Sequence, residues 1–424
     1  MLESSTSSPK EWSVAVAILG ARMHYAVPST LASAGRLERF YTDFYLQDTK
    51  FESWMRQVLS RIPFKASLRA AQRYDTRIPA ELVSAFPGLG ILYVLALRMA
   101  VSESRREKEF VWFGRWFGQL AVRHGFGQAT FAYGMNGTSV EWFEGAQQAG
   151  RTCILEQCSA PYPIYDQLSQ EEYQLWPGWE RDSVFHRNQY LFQRELQEWE
   201  QADLIICGSQ FVADGLAAHS VALDKCQVVP YAVDVDSYSM KQLGKTDANQ
   251  KLKVLFLGGI RIMKGIQYLY QALEQLGNAA SFIEARAAGS IMVSPETIEM
   301  LKKHIHLLGL VPRKEVGHLL AWADVLVLPS ICEGSALVTY EALASGVPVI
   351  TTPNAGSPVQ DGVTGFIVPN RNAAAIAERL EWLAQNPNLR LDMSIAARHY
   401  AEEHLSWEAY SCRLLAAIKR VRVK

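Results

Sequence analysis

The chain has 424 residues, of which 49% are hydrophobic and 20% charged, with a formal net charge of −1. This length exceeds one ordinary domain and suits two with cores of useful size, and the composition is that of a globular protein. Near-neutral charge gives no reason to expect a polyanionic partner, nucleic acid included.

The first ten residues, M-L-E-S-S-T-S-S-P-K, are polar, lack the pattern of a signal peptide and read as a mobile tail. The longest apolar run, Ile91–Leu97, falls far short of a membrane span. Six cysteines (153, 158, 207, 226, 332, 412) show no C-x2-C pairing and mostly sit in apolar runs, so they read as reduced core thiols. Together these features point to the cytoplasm.

Taken in chain order, strands and helices alternate, which predicts parallel sheets covered by helices. Ser13–Leu19 reads as a strand ending at Gly20, Ser29–Ala34 as a short helix, and Tyr41–Tyr45 as the start of a second strand. Lys50–Arg123 breaks the pattern: it is helical, tryptophan-bearing and basic, with thirteen Lys/Arg against six Asp/Glu, and reads as an insertion over about 50–125. Ala129–Tyr133 and Thr152–Glu156 read as strands around a helix at Thr138–Ala149. Asp203–Cys207 and Gln227–Val229 flank another helix at Phe211–His219. These elements make a first Rossmann-like half over 11–235. The polar run Met240–Gln250 reads as a hinge.

A second doubly wound half, 251–405, opens with the strand Lys253–Leu257. It continues through a helix with apolar residues at 266, 269, 273 and 276 and strands at Ser281–Ala285, Asp324–Leu328, Val347–Thr351 and Phe366–Val368. The final segment, 406–424, holds an amphipathic helix with no strand after it. Ligands of such sheets collect beyond the carboxyl ends of the strands, so the cleft between two facing halves is the expected site.

Two stretches carry the chemistry. In Ala323–Thr352 a strand, a tight turn and a helix follow one another, with Glu333 in the turn beside the small residues Gly334, Ser335 and Ala336. The helix that follows turns free N–H groups and a positive dipole end toward the same place, which suits a phosphate. Glu341 lies eight residues on; along one continuous helix the two carboxylates would be about 12 Å apart in rise, fit for the two ends of an extended nucleotide-sugar. In Val254–Gly265 a strand ends in Gly258-Gly259, and Arg261 and Lys264 follow three apart, a fork and a point charge suited to a diphosphate. His24 and Arg22, in G-A-R-M-H-Y after the first strand, face the same cleft if the first half is doubly wound.

E-x7-E from Glu333 to Glu341, G-x-R-x-x-K-G upstream, D-G-x-T-G at Asp361–Gly365, A-D-L-I-I-C-G-S-Q-F-V at Ala202–Val212 and V-V-P-Y-A-V-D at Val228–Asp234 together resemble the family 4 retaining glycosyltransferases of GT-B fold. The resemblance covers residues 200–424 well and the N-terminal half weakly. It implies an α/β architecture of two Rossmann-like domains facing across a cleft, with the C-terminal helix crossing back to the first. It implies that Glu333 contacts hydroxyls of the donor sugar and that the amides of Gly334, Ser335, Ala336 and Leu337 meet the distal phosphate. Arg261 and Lys264, after Gly259, hold the diphosphate, Glu341 the ribose, and Leu308–Val311 the base. The expected reaction is transfer of a hexose from a nucleoside-diphosphate sugar to a lipid-linked or saccharide acceptor, without cofactor or metal.

The chain departs from the family pattern twice. Leu155-Glu156-Gln157-Cys158 stands where the family usually carries a histidine, and Ser335-Ala336 replaces the usual aromatic and glycine. The alternative is therefore an inactive nucleotide-sugar-binding or scaffold protein of the same fold; an epimerase or phosphorylase ranks last, since no lysine is marked for pyridoxal. Asp234-Val235-Asp236 mimics a metal-binding D-x-D but falls in the passage between halves and reads as solvated. The basic insertion is either a solvated helical face or a contact for anionic lipid, with Trp54, Trp112, Phe113, Trp116 and Phe117 at the interface.

Overall fold

A computed structural model describes residues 11–46, 73–180, 189–240 and 251–421. The tail 1–10 and most of the expected hinge, 241–250, lie outside these residues.

Strands buried on both faces read as unbroken apolar runs, and V-A-V-A-I at Val14–Ile18 forms β1 with every residue buried. Around it lie β2 (Leu37–Thr42), β3 (Val83–Ala85), β4 (Phe131–Met135), β5 (Thr152–Gln157), β6 (Leu204–Cys207) and β7 (Cys226–Val228). The order is β3-β2-β1-β4-β5-β6-β7, with parallel pairing throughout. The chain leaves β1 toward one edge and returns on the other side, so the switch point falls between β1 and β4. Helices α1 (Ala26–Ser33), α2 (Pro87–Met99), α3 (Glu103–His124), α4 (Val140–Gln148), α5 (Tyr162–Leu175), α6 (Gln189–Gln201) and α7 (Gln210–Ala217) connect these strands.

The second sheet repeats the scheme. β8 (Leu252–Leu257), β9 (Ile283–Ala288), β10 (Ile305–Gly309), β11 (Val325–Leu328), β12 (Val349–Thr351) and β13 (Gly365–Ile367) run in the order β10-β9-β8-β11-β12-β13, all parallel. Its switch point lies between β8 and β11, where Val254 pairs with Val325. α8 (Ile266–Gln275), α9 (Pro295–Leu301), α10 (Arg313–Trp322), α11 (Leu337–Ala344), α12 (Ala373–Gln385) and α13 (Pro387–His404) cover it. The last helix, α14 (Trp407–Lys419), starts on a Ser406 cap and returns to the first half. There Arg413 Nη2 donates to the Pro230 carbonyl at 3.1 Å and Arg420 Nη1 to Gln227 Oε1 at 3.0 Å.

The structure corrects several sequence expectations. The stretch read as an all-helical insertion holds β3, which pairs with β2 through Phe40 and Val83; three residues are too few for a strand pattern to show. Its residues 50–72, Trp54 among them, lie outside the described residues. Phe113 and Phe117 are 4% and 1% exposed and belong to the core under the first sheet, so they cannot meet lipid. β10 has no counterpart in the sequence reading, because His306 and Gly309 interrupt its apolar run. β9 starts two residues later than expected, since a 3-10 turn over Gly277–Phe282 takes up the first residues.

Candidate active site

The loops that leave β8 and β11 emerge on either side of the second switch point, so the fold brings the two sequence motifs together. After β8, Ile262–Lys264 makes a 3-10 turn closed by Gly265 at φ 79°. A Cβ there would lie 2.0 Å from the Pro329 carbonyl oxygen, so only glycine lets the turn seat against the loop from β11. The Lys264 ammonium is ion-paired with Glu333 Oε2. The other oxygen of Glu333 accepts the Ser330 hydroxyl at 2.5 Å, and the Glu333 amide donates to the Asn354 carbonyl at 2.9 Å. Both side chains of the pair are largely withdrawn from water, where charge interactions are less screened. Arg261 Nε lies 3.9 Å from Glu180 Oε1.

Helix α11 begins at Leu337, so Glu333 sits in the approach to the helix and not on it. This is the turn position expected from the sequence, so the two carboxylates are not carried on one continuous helix. The Ala336 amide is also committed, donating to the Ala355 carbonyl at 3.0 Å, as is the Thr339 amide, which donates to the Ala336 carbonyl at 2.9 Å, so the helix end that suits an anion narrows to the amides of Leu337 and Val338. Ser335 fills the position of an aromatic by joining a relay: the Tyr231 amide donates to Tyr340 Oη at 3.3 Å, Tyr340 Oη meets Ser335 Oγ at 2.8 Å, and Ser335 donates to the Gly356 carbonyl at 3.0 Å.

Glu341, within α11 and buried, pairs with Arg313 Nη2 at 2.5 Å, and Arg313 also donates to Tyr238 Oη at 3.1 Å. Val311 follows β10 and packs against the larger core, while Leu310 beside it is exposed. Gly259 follows β8, with Ser290 Oγ 3.7 Å from where its Cβ would be. Asp234 accepts the Ser237 hydroxyl at 2.5 Å.

The first half meets this site at Gly334. A Cβ on Gly334 would lie 2.1 Å from the Cys158 carbonyl oxygen, and the Gly334 carbonyl accepts the Ser209 hydroxyl at 2.5 Å. Cys158, the last residue of the stretch Leu155–Cys158 that departs from the family pattern, and Ser159 after it are thus pressed on the loop that carries Glu333. Burial pushes the Cys158 thiol up, which disfavours the thiolate. Arg22 reaches the same corner: its Nη1 donates to the Asn136 carbonyl at 2.9 Å and lies 3.8 Å from Cys158 Sγ. His24 goes elsewhere. It lines a hollow of about 460 Å³ with Tyr74, Asp75, Arg77 and Trp407, which shares no lining residue with the Glu333 corner. Met23, His24 and Tyr25 have φ of 52°, 48° and 61°, three consecutive left-handed residues that cost roughly 1 kcal/mol or more each.

Beneath Cys158 lies Glu156, fully buried at the end of β5. Tyr133 Oη donates to its Oε2 at 2.8 Å, and Tyr231, Tyr410 and Arg22 stand close enough to act on its charge or on each other's. Burial pushes its carboxyl up to about 7, against the lowering effect of the tyrosine hydroxyls. Sequence reasoning named Cys158 only as part of a departure from the family pattern and missed Ser209, Arg313 and Glu180 as site residues. Only Ser209 carried a signal, as an N-cap ahead of α7.

Two doubly wound halves with opposed switch points, tied by a returning helix, define the GT-B class. A family model described as glycosyl transferases group 1 matches residues 241–400. The matched stretch lies in the second half of the chain, which is similar to this group. It is 32% identical over 238 residues to a D-inositol 3-phosphate glycosyltransferase of Streptomyces scabiei (strain 87.22), covering 50% of this chain and 53% of that one. It is 28% identical over 184 residues to spore coat protein SA of Bacillus subtilis (strain 168), covering 40% and 49%. The chain thus spans about half the length of the curated relatives it matches. Among solved structures, Anabaena Alr3699/HepE in complex with UDP superposes with a TM-score of 0.62 at 14% identity, covering 96% of this chain and 99% of that one. WaaG, a glycosyltransferase involved in lipopolysaccharide biosynthesis, gives 0.57 at 18% identity over 95% and 98%. At such identities the likeness speaks for the fold.

Proposed function

We propose that this protein transfers a hexose from a nucleoside-diphosphate sugar to a saccharide or lipid-linked acceptor, with retention of anomeric configuration, in the making of a polysaccharide or glycolipid. The observation that carries the reading is the convergence of Arg261, Lys264, Glu333 and the α11 N-terminus at one switch point. The departing nucleoside diphosphate gains negative charge as the sugar bond breaks, and two cations with helix amides stabilise that charge. In this reading Lys264 shares its ammonium between Glu333 and a phosphate oxygen, while Glu333 turns to the sugar hydroxyls. Glu341 holds the ribose, released from Arg313, and Leu308–Val311 seats the base. Because the cations supply the charge neutralisation, transfer proceeds without a divalent metal, and EDTA leaves the rate unchanged. Solved relatives of this fold hold UDP and UDP-glucose, which supports a nucleotide-sugar donor.

On the acceptor side we place Arg22 near the sugar and His24 further out, where Tyr74 and Trp407 offer aromatic faces to a sugar ring. No helix among the described residues is long and apolar enough to cross a membrane. α2 instead exposes Ile91, Leu92, Val94, Leu95 and Met99, together with Arg98, and α3 exposes Trp112, Arg105, Arg106 and Lys108. We propose that this face rests on an anionic bilayer and admits a lipid-linked acceptor to the cleft.

The test is a thermal-shift screen with UDP-, GDP- and ADP-sugars, followed by slow donor hydrolysis in the same samples and NMR of the product anomer. A ligand of the folded state raises the midpoint by mass action. A chain that none of the three stabilises is not a nucleotide-sugar transferase.

A further inference from the structure

The segment between β5 and α6 leaves the half it belongs to in sequence. α5 and the residues up to Glu180 are built into the second half. Trp179, 8% exposed, sits in the core with Ile262 and Ile266. Glu172, fully buried, pairs with Arg371 Nε at 2.5 Å and accepts Gln267 Nε2 at 2.8 Å and the Tyr268 hydroxyl at 3.1 Å. Trp176 Nε1 donates to the same Tyr268 hydroxyl at 3.2 Å. The Ser294 amide donates to the Trp179 carbonyl at 2.7 Å, and Glu180 bridges Val293 in antiparallel fashion.

This arm ends on the turn that carries the two cations. Glu180 Oε1 accepts the Ile262 amide at 2.7 Å and lies 3.9 Å from Arg261 Nε, while Oε2 accepts the Tyr173 hydroxyl at 3.0 Å. A carboxylate this close to a diphosphate site repels the ligand. Its presence, buried and held from three sides, calls for a compensating role.

We propose that Glu180 is a positioning residue for the diphosphate site: a carboxylate from the first half of the chain that holds the Arg261 guanidinium by its Nε edge and pins the following amide. The inference rests on the reading of Arg261 as a diphosphate ligand. It makes the donor site a joint product of both halves of the chain, with the arm moving as part of the second.

A double-mutant cycle on the full chain tests it, with UDP, GDP and ADP as titrants in calorimetry and the tightest one carried through. Glu180→Gln keeps an oxygen for the Ile262 amide and removes the charge. Expected is about a fivefold to tenfold loss of affinity in the wild-type background and none in the Arg261→Ala background, since residues acting as a pair are non-additive. Equal losses in both backgrounds reduce Glu180 to a structural residue and overturn the proposal, as does unchanged or tighter binding by Glu180→Gln. Where the Gln variant lowers the melting midpoint, Glu180→Asp, which withdraws the charge by one methylene, repeats the cycle with the same criteria. A wild-type chain that binds none of the three nucleotides overturns the donor-site reading itself, and this inference with it, a failure visible before any variant is made.

Discussion

The ammonium of Lys264 and the carboxylate of Glu333, 69 positions apart in sequence, form an ion pair at the switch point of the second sheet. In the proposed reading this contact opens on donor binding, Lys264 turning to the diphosphate and Glu333 to the sugar. Glu333→Gln keeps the shape and loses the charge. It is expected to leave nucleotide affinity within about threefold and to lower transfer about a hundredfold, the scale of removing one group that acts on the transition state. Arg261→Ala is expected to weaken nucleoside-diphosphate binding about tenfold or more, as for a lost charge-assisted hydrogen bond. Steady-state kinetics with calorimetry separate the two, and wild-type turnover in Glu333→Gln would show that the carboxylate has no part in transfer.

Gly334→Ala tests the contact between halves. Its Cβ would fall 2.1 Å from the Cys158 carbonyl oxygen and 2.7 Å from Ser159 Cα, both backbone atoms that cannot rotate aside. The loop must shift, so activity is expected to fall at least about tenfold and the melting midpoint by about 5 °C, within the range for an overpacked site. A variant with wild-type kinetics and midpoint would mean that the halves do not meet at this loop in solution.

Glu156 gives the stability a pH dependence of known sign. Its folded value, about 7, lies above the unfolded value of about 4.3. Its contribution to stability is therefore fully present below about pH 4 and is lost as pH rises through 7. Glu195 and Glu198, also raised by burial, act in the same sense. Glu156→Gln is expected to match the wild type near pH 4.5 and to exceed it in melting midpoint at pH 8, so that its profile is flatter. Parallel profiles for the two proteins would remove Glu156 from the account.

The apolar face of α2 predicts lipid-dependent recovery. Leu92 and Leu95 are 48% and 47% exposed, so Leu92→Glu with Leu95→Glu leaves the core untouched. Wild-type protein is expected to sediment with phosphatidylglycerol vesicles in preference to phosphatidylcholine vesicles at low salt, and the double variant about fivefold less at an unchanged melting midpoint. Equal recovery with both vesicle types, or no difference for the variant, removes the membrane from the proposal.

What the sequence determined by itself was local and repetitive. Apolar runs four to seven residues long marked β1, β4, β5, β6, β8 and β11, because a parallel strand buried on both faces needs no polar side. Glycines and the spacing of Arg261, Lys264, Glu333 and Glu341 marked the loops of the second half, because tight turns and close backbone approach demand small residues and charged groups at fixed spacing stand out from an apolar run. Only the tertiary structure decided which distant groups meet. Glu180 reaches Arg261 because α5 docks on the second half, and no periodicity in α5 reports which core its apolar face will join. Arg313 reaches Glu341 across the gap between α10 and α11, and Arg22, not His24, turns to the Gly334 corner because three left-handed residues rotate the loop after β1. Such contacts depend on how one layer lies against another, and that is set by the summed packing of whole faces, which no short stretch of chain contains.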